Sequence, residues 1–202
     1  MGLKHQAVSA RKWRVAIRRV ESHFPRHLPP LLFLTDPERT PDPALMALKL
    51  PTGSGIIYRH FGAKDRFAVA ASLADLARRR GLKLLIAADP KLALEVGAHG
   101  VHWPEARLRE AFKWHGRFRL QTASAHSRFA IVLAERMGVD AALVSTVFPS
   151  KSLSASRPIG SLRLRRLAQS NRLPLYALGG VKHNNALCVA GASGLAAIEG
   201  LS

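Results

Sequence analysis

From residue 31 onward, short apolar runs recur along the chain, separated by polar or helix-patterned stretches. The runs fall at 31–35, 55–59, 82–87, 100–103, 119–123, 141–145, 174–178 and 195–198. Each is nearly continuous in its hydrophobicity rather than alternating, the pattern of strands covered on both faces. Between them, apolar residues take helical spacing over 64–80, 90–96, 105–114, 127–137, 162–169 and 184–189, with a short further stretch at 44–48. Gly81, Gly97, Gly138 and Gly191 stand where such helices would end in left-handed caps. Strands alternating with helices imply parallel pairing. Eight of them predict an α/β fold of the (β/α)8 TIM-barrel type. The open doubly wound sheet is the alternative, but its glycine-rich loop after the first strand is missing; Leu34-Thr35-Asp36-Pro37 follows instead.

Ahead of the barrel, residues 7–24 predict an extra amphipathic helix with Trp13, Ile17, Val20 and Phe24 on one face and arginines around the other. Pro25, Pro29 and Pro30 end it and lead into the first strand. The segment is basic and poor in acids, as a transit peptide would be, but its apolar face fits packing on the domain better. A single domain over 1–202 is expected, with the barrel at 31–200. The eighth strand runs to the end of the sequence, so no final C-terminal helix is expected. The wall it would cover falls to the 7–24 helix or to a second subunit in a homodimer.

Composition narrows the class. A chain of 202 residues that is 48% hydrophobic suits one domain with a sizeable core. No apolar run is long enough for a membrane span, and no signal peptide opens the chain. A single cysteine, Cys188, excludes an internal disulfide and fits a reducing, cytoplasmic setting; it is expected to be a buried apolar residue of the last helix. The formal charge of +18 attracts phosphates, nucleotides and other polyanions. The basic residues are dispersed and accompany no helix-turn-helix, zinc finger or RNP strand, so nucleic acid is expected only as a non-specific partner.

In barrels of this type the working residues lie at the C-terminal ends of the strands, with a phosphate site after strands seven and eight. Leu178-Gly179-Gly180-Val181 follows strand seven and precedes a predicted helix, so backbone N–H groups can approach an anion there. A phosphorylated small molecule is the expected ligand.

In this order and spacing the chain resembles the thiamine phosphate synthase and TenI family. The resemblance is carried by Leu34-Thr35-Asp36, Arg59, Gly97-Ala98-His99-Gly100-Val101-His102 and Ser124-Ala125-His126-Ser127. It continues with Phe148-Pro149-Ser150, Gly160, Ala177-Leu178-Gly179-Gly180-Val181 and Gly194-Leu195-Ala196-Ala197-Ile198. Family synthases join a pyrimidine diphosphate to a thiazole phosphate and release pyrophosphate. The resemblance implies that Gly179, Gly180, Ile198 and Glu199 hold the thiazole phosphate. Arg59 and Ser124 would face the pyrimidine diphosphate, and Ser150 and Ser152 stand at the family's Thr-x-Thr contact.

The departures cluster on the diphosphate side. The family's Asn-Asp pair after strand three, whose Asp binds Mg2+, matches Ala87 and Ala88 here, with Asp89 one residue late. The second magnesium carboxylate falls near Ala106 or Arg107. The strand-two Gln-x-Arg-x-Lys keeps only Arg59, and the lysine after Thr-x-Thr is Leu153. Mg2+ is thus expected for the family but its ligands are replaced, and no metal ligand is assigned. Arg107, Lys64 and Lys151 are candidates to supply positive charge in its stead. Two alternatives to the synthase stand. One is a repurposed member that binds a phosphorylated thiazole-like ligand. The other is a metal-free TenI-like tautomerase, although the histidine it would use in the strand-six motif is Thr146. His102 and His126, and after them His60, are candidate acids or bases. Tyr58, Trp103 and Phe148 are candidates for the pocket mouth or for packing.

Overall fold

The structure is a computed structural model that describes residues 2–150 and 157–199. Eight parallel strands close into one barrel in sequence order: β1 (Leu31–Leu34), β2 (Gly55–Tyr58), β3 (Lys83–Ala87), β4 (Gly100–Trp103), β5 (Leu120–Ala125), β6 (Ala141–Val144), β7 (Leu175–Ala177) and β8 (Gly194–Ala197). The (β/α)8 architecture is therefore present, each strand within one or two residues of its apolar run. Closure is direct: Leu32 of β1 pairs with Ala196 of β8 on one side and with Gly55 of β2 on the other.

Six α-helices are described: α1 (Gly2–Glu21), α2 (Pro43–Lys49), α3 (Arg66–Arg80), α4 (Pro90–Glu95), α5 (Arg128–Arg136) and α6 (Gly160–Ser170). Their ends follow local chemistry. Asp42 accepts from the N–H groups of Ala44 and Leu45, Asp89 from Leu92 and Ser127 from Ala130, each satisfying donors that a first turn leaves free. Gly81 closes α3 in the left-handed conformation at φ 62°, and Gly97 and Gly138 follow α4 and α5 with φ of 65° and 72°. Gly191 does not have positive φ, because no α-helix precedes it: the predicted 184–189 helix is a single 3-10 turn at Ala186–Cys188. The 105–114 stretch is helical over its expected length but wound as a 3-10 helix, Glu105–Trp114. Cys188 lies exposed on its short turn rather than buried.

Strand parity divides the core into two. Alternate residues such as Ile56, Leu84 and Val101 face outward against the helices, while Leu32, Ile57, Leu85, Leu143 and Ala196 fill the barrel. The base is plugged by Tyr176, whose hydroxyl donates to Pro29 O at 2.6 Å and whose ring meets Phe24 edge-on at 5.1 Å. A Cβ on Gly194 would stand 2.5 Å from that ring, so β8 can pass it only as glycine. Phe24 is thus not on the helical face but beyond the end of α1, packing at the base of the barrel.

α1 packs against β8 and the Ala186–Cys188 turn, burying Trp13, Ala16, Ile17 and Val20. The wall beside β8 is covered by this helix. No helix among the described residues is long and apolar enough to cross a membrane. Truncating a fully packed aromatic costs about 3–5 kcal/mol, so Trp13→Ala is expected to lower unfolding stability by that amount in urea melts. A loss below about 1 kcal/mol would mean that α1 is an appendage and not part of the barrel.

Candidate active site

At the C-terminal rim, parity brings Arg59, His102 and Ser124 to the inner face. Arg59 is pinned by its neighbours: its backbone N–H donates to Thr35 Oγ1 and its Nε to Thr35 O, both at 2.9 Å, and Asp36 Oδ2 lies 3.7 Å from the guanidinium. Burial pushes its pKa below the ordinary value, opposed by Asp36, and the group remains a cation.

His102 is buried between two hydroxyls, Nδ1 2.9 Å from Thr122 Oγ1 and Nε2 2.9 Å from Ser124 Oγ. Burial first, and the Arg59 charge second, hold its pKa down to about 3. A neutral imidazole has one donor and one acceptor nitrogen, so one hydroxyl donates to the ring and the other accepts from it. The ring therefore orients Ser124, a neighbour two strand positions beyond Thr122, without contributing charge.

The other two candidate histidines lie apart. His60 follows the inward Arg59 and turns outward, its ring 5.0 Å from that of Tyr58; burial lowers its pKa against the pull of Asp36 and Asp65. His126 is exposed, with its N–H bonded to Glu105 Oε2 at 2.7 Å and Nδ1 3.2 Å from Ser145 O. It lines an open groove of about 920 Å³ between α5 and α6, with Arg128, Arg157, Arg163 and Arg166. Tyr58 and Trp103 are fully buried on the outer face of the sheet, Trp103 donating to Gln121 Oε1 at 2.8 Å, and Phe148 is half-buried against the core.

Beyond β7 and β8 lies a cavity of about 440 Å³ lined by Gly179, Gly180, Ser150, Ile198 and Glu199, together with Arg39 and Lys182. Gly179 and Gly180 have φ of 87° and 66°, and a Cβ on Gly180 would lie 2.4 Å from Pro149 O. Only glycine lets the chain pass there. The anion would meet backbone and cations rather than a helix dipole, since the turn that follows is three residues long. Arg39 went unnoticed in the sequence. It is presented by a turn in which Asp36 Oδ1 accepts the N–H groups of Glu38 and Arg39 at 3.2 Å, and its Nε lies 3.1 Å from Glu199 Oε1. The Asp-Pro turn signal after β1 was the clue available.

The rim between β2 and β4 is built from paired charges. Arg66, the first residue of α3, donates to Asp89 Oδ2 at 3.0 Å and to Ala87 O at 2.9 Å, and its guanidinium carbon lies 5.6 Å from the Phe61 ring centre. Arg107 donates to both oxygens of Glu110 at 2.6 and 2.7 Å, and to Ala88 O at 2.7 Å. Lys64 is exposed in the turn before α3 and takes no part in this network, and Lys151 and Ser152 lie outside the described residues.

Each of these carboxylates is already engaged. Asp89 caps α4 and binds Arg66, Glu110 is held by Arg107, and Glu105 accepts from His126. Among the described residues no cluster of three or more His, Cys, Asp or Glu groups could hold a metal ion. Ala88 has φ 57°, a conformation that asparagine and aspartate tolerate better than alanine.

His102 makes a testable contribution to stability. Its pKa is depressed on folding from 6.5 to about 3, so the unfolded chain takes up a proton first as pH falls, and stability present above pH 6.5 is lost on the way to pH 3. Relative to a His102→Gln variant, the parent is expected to lose about 2 kcal/mol between pH 7 and pH 5. A stability difference that stays constant across that range in urea melts would contradict a neutral buried ring.

A family model described as thiamine monophosphate synthase matches residues 32–201. The thiamine-phosphate synthase of Nitrosococcus oceani is 34% identical over 166 residues, 77% of this chain and 76% of that one. A thiamine biosynthesis bifunctional protein of Geobacter sulfurreducens is 29% identical over 140 residues, covering 67% of this chain but only 29% of that longer protein. A solved thiamine phosphate pyrophosphorylase from Pyrococcus furiosus superimposes with a TM-score of 0.72 over 86% of each chain at 23% identity, a likeness of fold. Over its whole barrel, then, the chain belongs to the thiamine monophosphate synthase (TMP-TENI) family.

Proposed function

We propose that this chain is a transferase of thiamine biosynthesis that condenses a pyrimidine diphosphate with a thiazole phosphate and releases pyrophosphate. The observation that carries the reading is the cradle at the ends of β7 and β8, within a chain that matches the family along its barrel. Its Gly179–Gly180 backbone lines the same cavity as Arg39 and Lys182. That combination suits a phosphate monoester: N–H donors, two cations and a hydroxyl from Ser150. Glu199 would repel such an anion alone, but Arg39 partners it and is oriented toward the same cavity.

The second substrate would lie over the barrel centre. Ser124, oriented by His102, offers a hydrogen bond to the pyrimidine, and Arg59 stands beside it as a fixed cation. The thiazole nitrogen then forms a C–N bond to the pyrimidine methylene as the C–O bond breaks, both electrons of that bond leaving on the pyrophosphate. The departing charge must be neutralised where it develops. The positions at which the family places magnesium carboxylates hold Ala88 and Arg107, so no step is assigned to a metal. A cytoplasmic setting accords with such chemistry. Nothing favours the tautomerase: Thr146 at the strand-six position is buried and carries no group that titrates near neutrality.

Incubating the protein with both substrates should yield thiamine phosphate and pyrophosphate in equal amounts; release of neither under any metal condition would refute the transferase. Arg39→Ala is expected to raise KM for the thiazole phosphate roughly tenfold or more, the scale of one charge-assisted hydrogen bond, with a smaller change in kcat. An unchanged KM would remove Arg39 from the cradle.

A further inference from the structure

Resting on the transferase reading above, we infer that Arg66 and Arg107 bind and neutralise the diphosphate group in place of a divalent metal. The argument begins with backbone oxygens. A hard cation at the end of β3 would use oxygen ligands, from carboxylates or from main-chain carbonyls. The two carbonyls there, of Ala87 and Ala88, are each already bonded to a guanidinium, Ala87 O to Arg66 and Ala88 O to Arg107. A divalent ion placed beside them would have to displace a guanidinium donor from each carbonyl.

The contact between positions 88 and 107 is the informative one. These are the positions where the family pattern sets its metal carboxylates, and here they hold an alanine and an arginine that touch at 2.7 Å. The arginine brings its charge to the place from which the carboxylates are missing. In the turn after β2 the family's lysine position holds Phe61, and the Arg66 guanidinium packs near that ring at 5.6 Å. A cation is missing from the turn after β2 and another is delivered from the start of α3.

Both groups keep donors in reserve. A guanidinium carries five N–H bonds. Arg66 spends one on Asp89 and one on Ala87 O, and its Nε is buried, which leaves one hydrogen on each Nη. Arg107 spends Nε and one Nη2 hydrogen on Glu110 and one Nη1 hydrogen on Ala88 O, leaving the same pair. Asp89 and Glu110 therefore hold the arginines in position rather than exhausting them. Planar forks fixed in this way match the oxygens of a diphosphate without the side-chain ordering that binding otherwise costs.

In the reaction, the pyrophosphate that leaves with the C–O electron pair would be received by these four Nη hydrogens, alongside Arg59. No proton and no metal-bound species is required for that balance.

The test is calorimetric titration of the full chain with inorganic pyrophosphate, in EDTA and in excess magnesium. Binding in EDTA is expected, with an affinity that magnesium changes by less than about threefold. Arg107→Ala and Arg66→Ala are each expected to weaken it roughly ten- to hundredfold, whereas Arg79→Ala, an exposed charge on α3, leaves it unchanged. If Arg66→Ala does not fold, the magnesium comparison and Arg107→Ala decide alone. Pyrophosphate binding that appears only with magnesium, or equal binding by Arg107→Ala and the parent, would overturn the inference. Magnesium-dependent turnover would do the same and leave the transferase standing, whereas metal-free pyrophosphate binding with no thiamine phosphate formed would leave this site standing and remove the transferase.

Discussion

Closure of the sheet is the constraint from which the rest follows. Once β1 pairs with β8, each strand has one inward face, and only every second residue can reach the interior. Tyr176, Leu143 and their neighbours fill the base and middle, so the last inward position of each strand is the one open to a ligand. Arg59, His102 and Ser124 occupy those positions on β2, β4 and β5. Their chemistry is set by the same closure: the low-dielectric interior that strips the charge from His102 also lowers the pKa of Arg59, and Asp36 opposes that shift so that the guanidinium stays the central fixed cation.

Two electrostatic devices then divide the rim. On the β7–β8 side, glycine backbone, Arg39 and Lys182 surround an open cavity. On the β2–β4 side, guanidinium groups are locked to carboxylates and to strand-end carbonyls. A phosphate monoester suits the first and an extended diphosphate the second. The chain's +18 charge adds a long-range field that attracts both anions.

Most of the barrel was legible because it rests on local patterns. Continuous apolar runs reported doubly covered strands, and Gly81, Gly97 and Gly138 marked helix ends by a conformation that favours glycine. The misses have equally local causes. Gly191 resembled a cap, but the 184–189 stretch is too short to wind more than a turn, and the same turn exposes Cys188. Phe24 fits the α1 periodicity although the helix ends at Glu21, three residues before it. In the site, parity made Arg59, His102 and Ser124 readable as a group, since they sit at matching strand ends. It also separates His60 from Arg59, one residue away. Arg39 and Arg66 were not readable in this way. They reach the rim from a turn and from the start of a helix, where no period links side-chain direction to sequence position.

The most direct test of the account is a crystal structure of the protein grown in EDTA with thiazole phosphate and pyrophosphate bound together. The account predicts phosphorus density in two places, against Gly179, Gly180 and Arg39, and between Arg66 and Arg107. Density confined to the arginine-lined groove between α5 and α6, or no pyrophosphate density between Arg66 and Arg107 in EDTA, would contradict it.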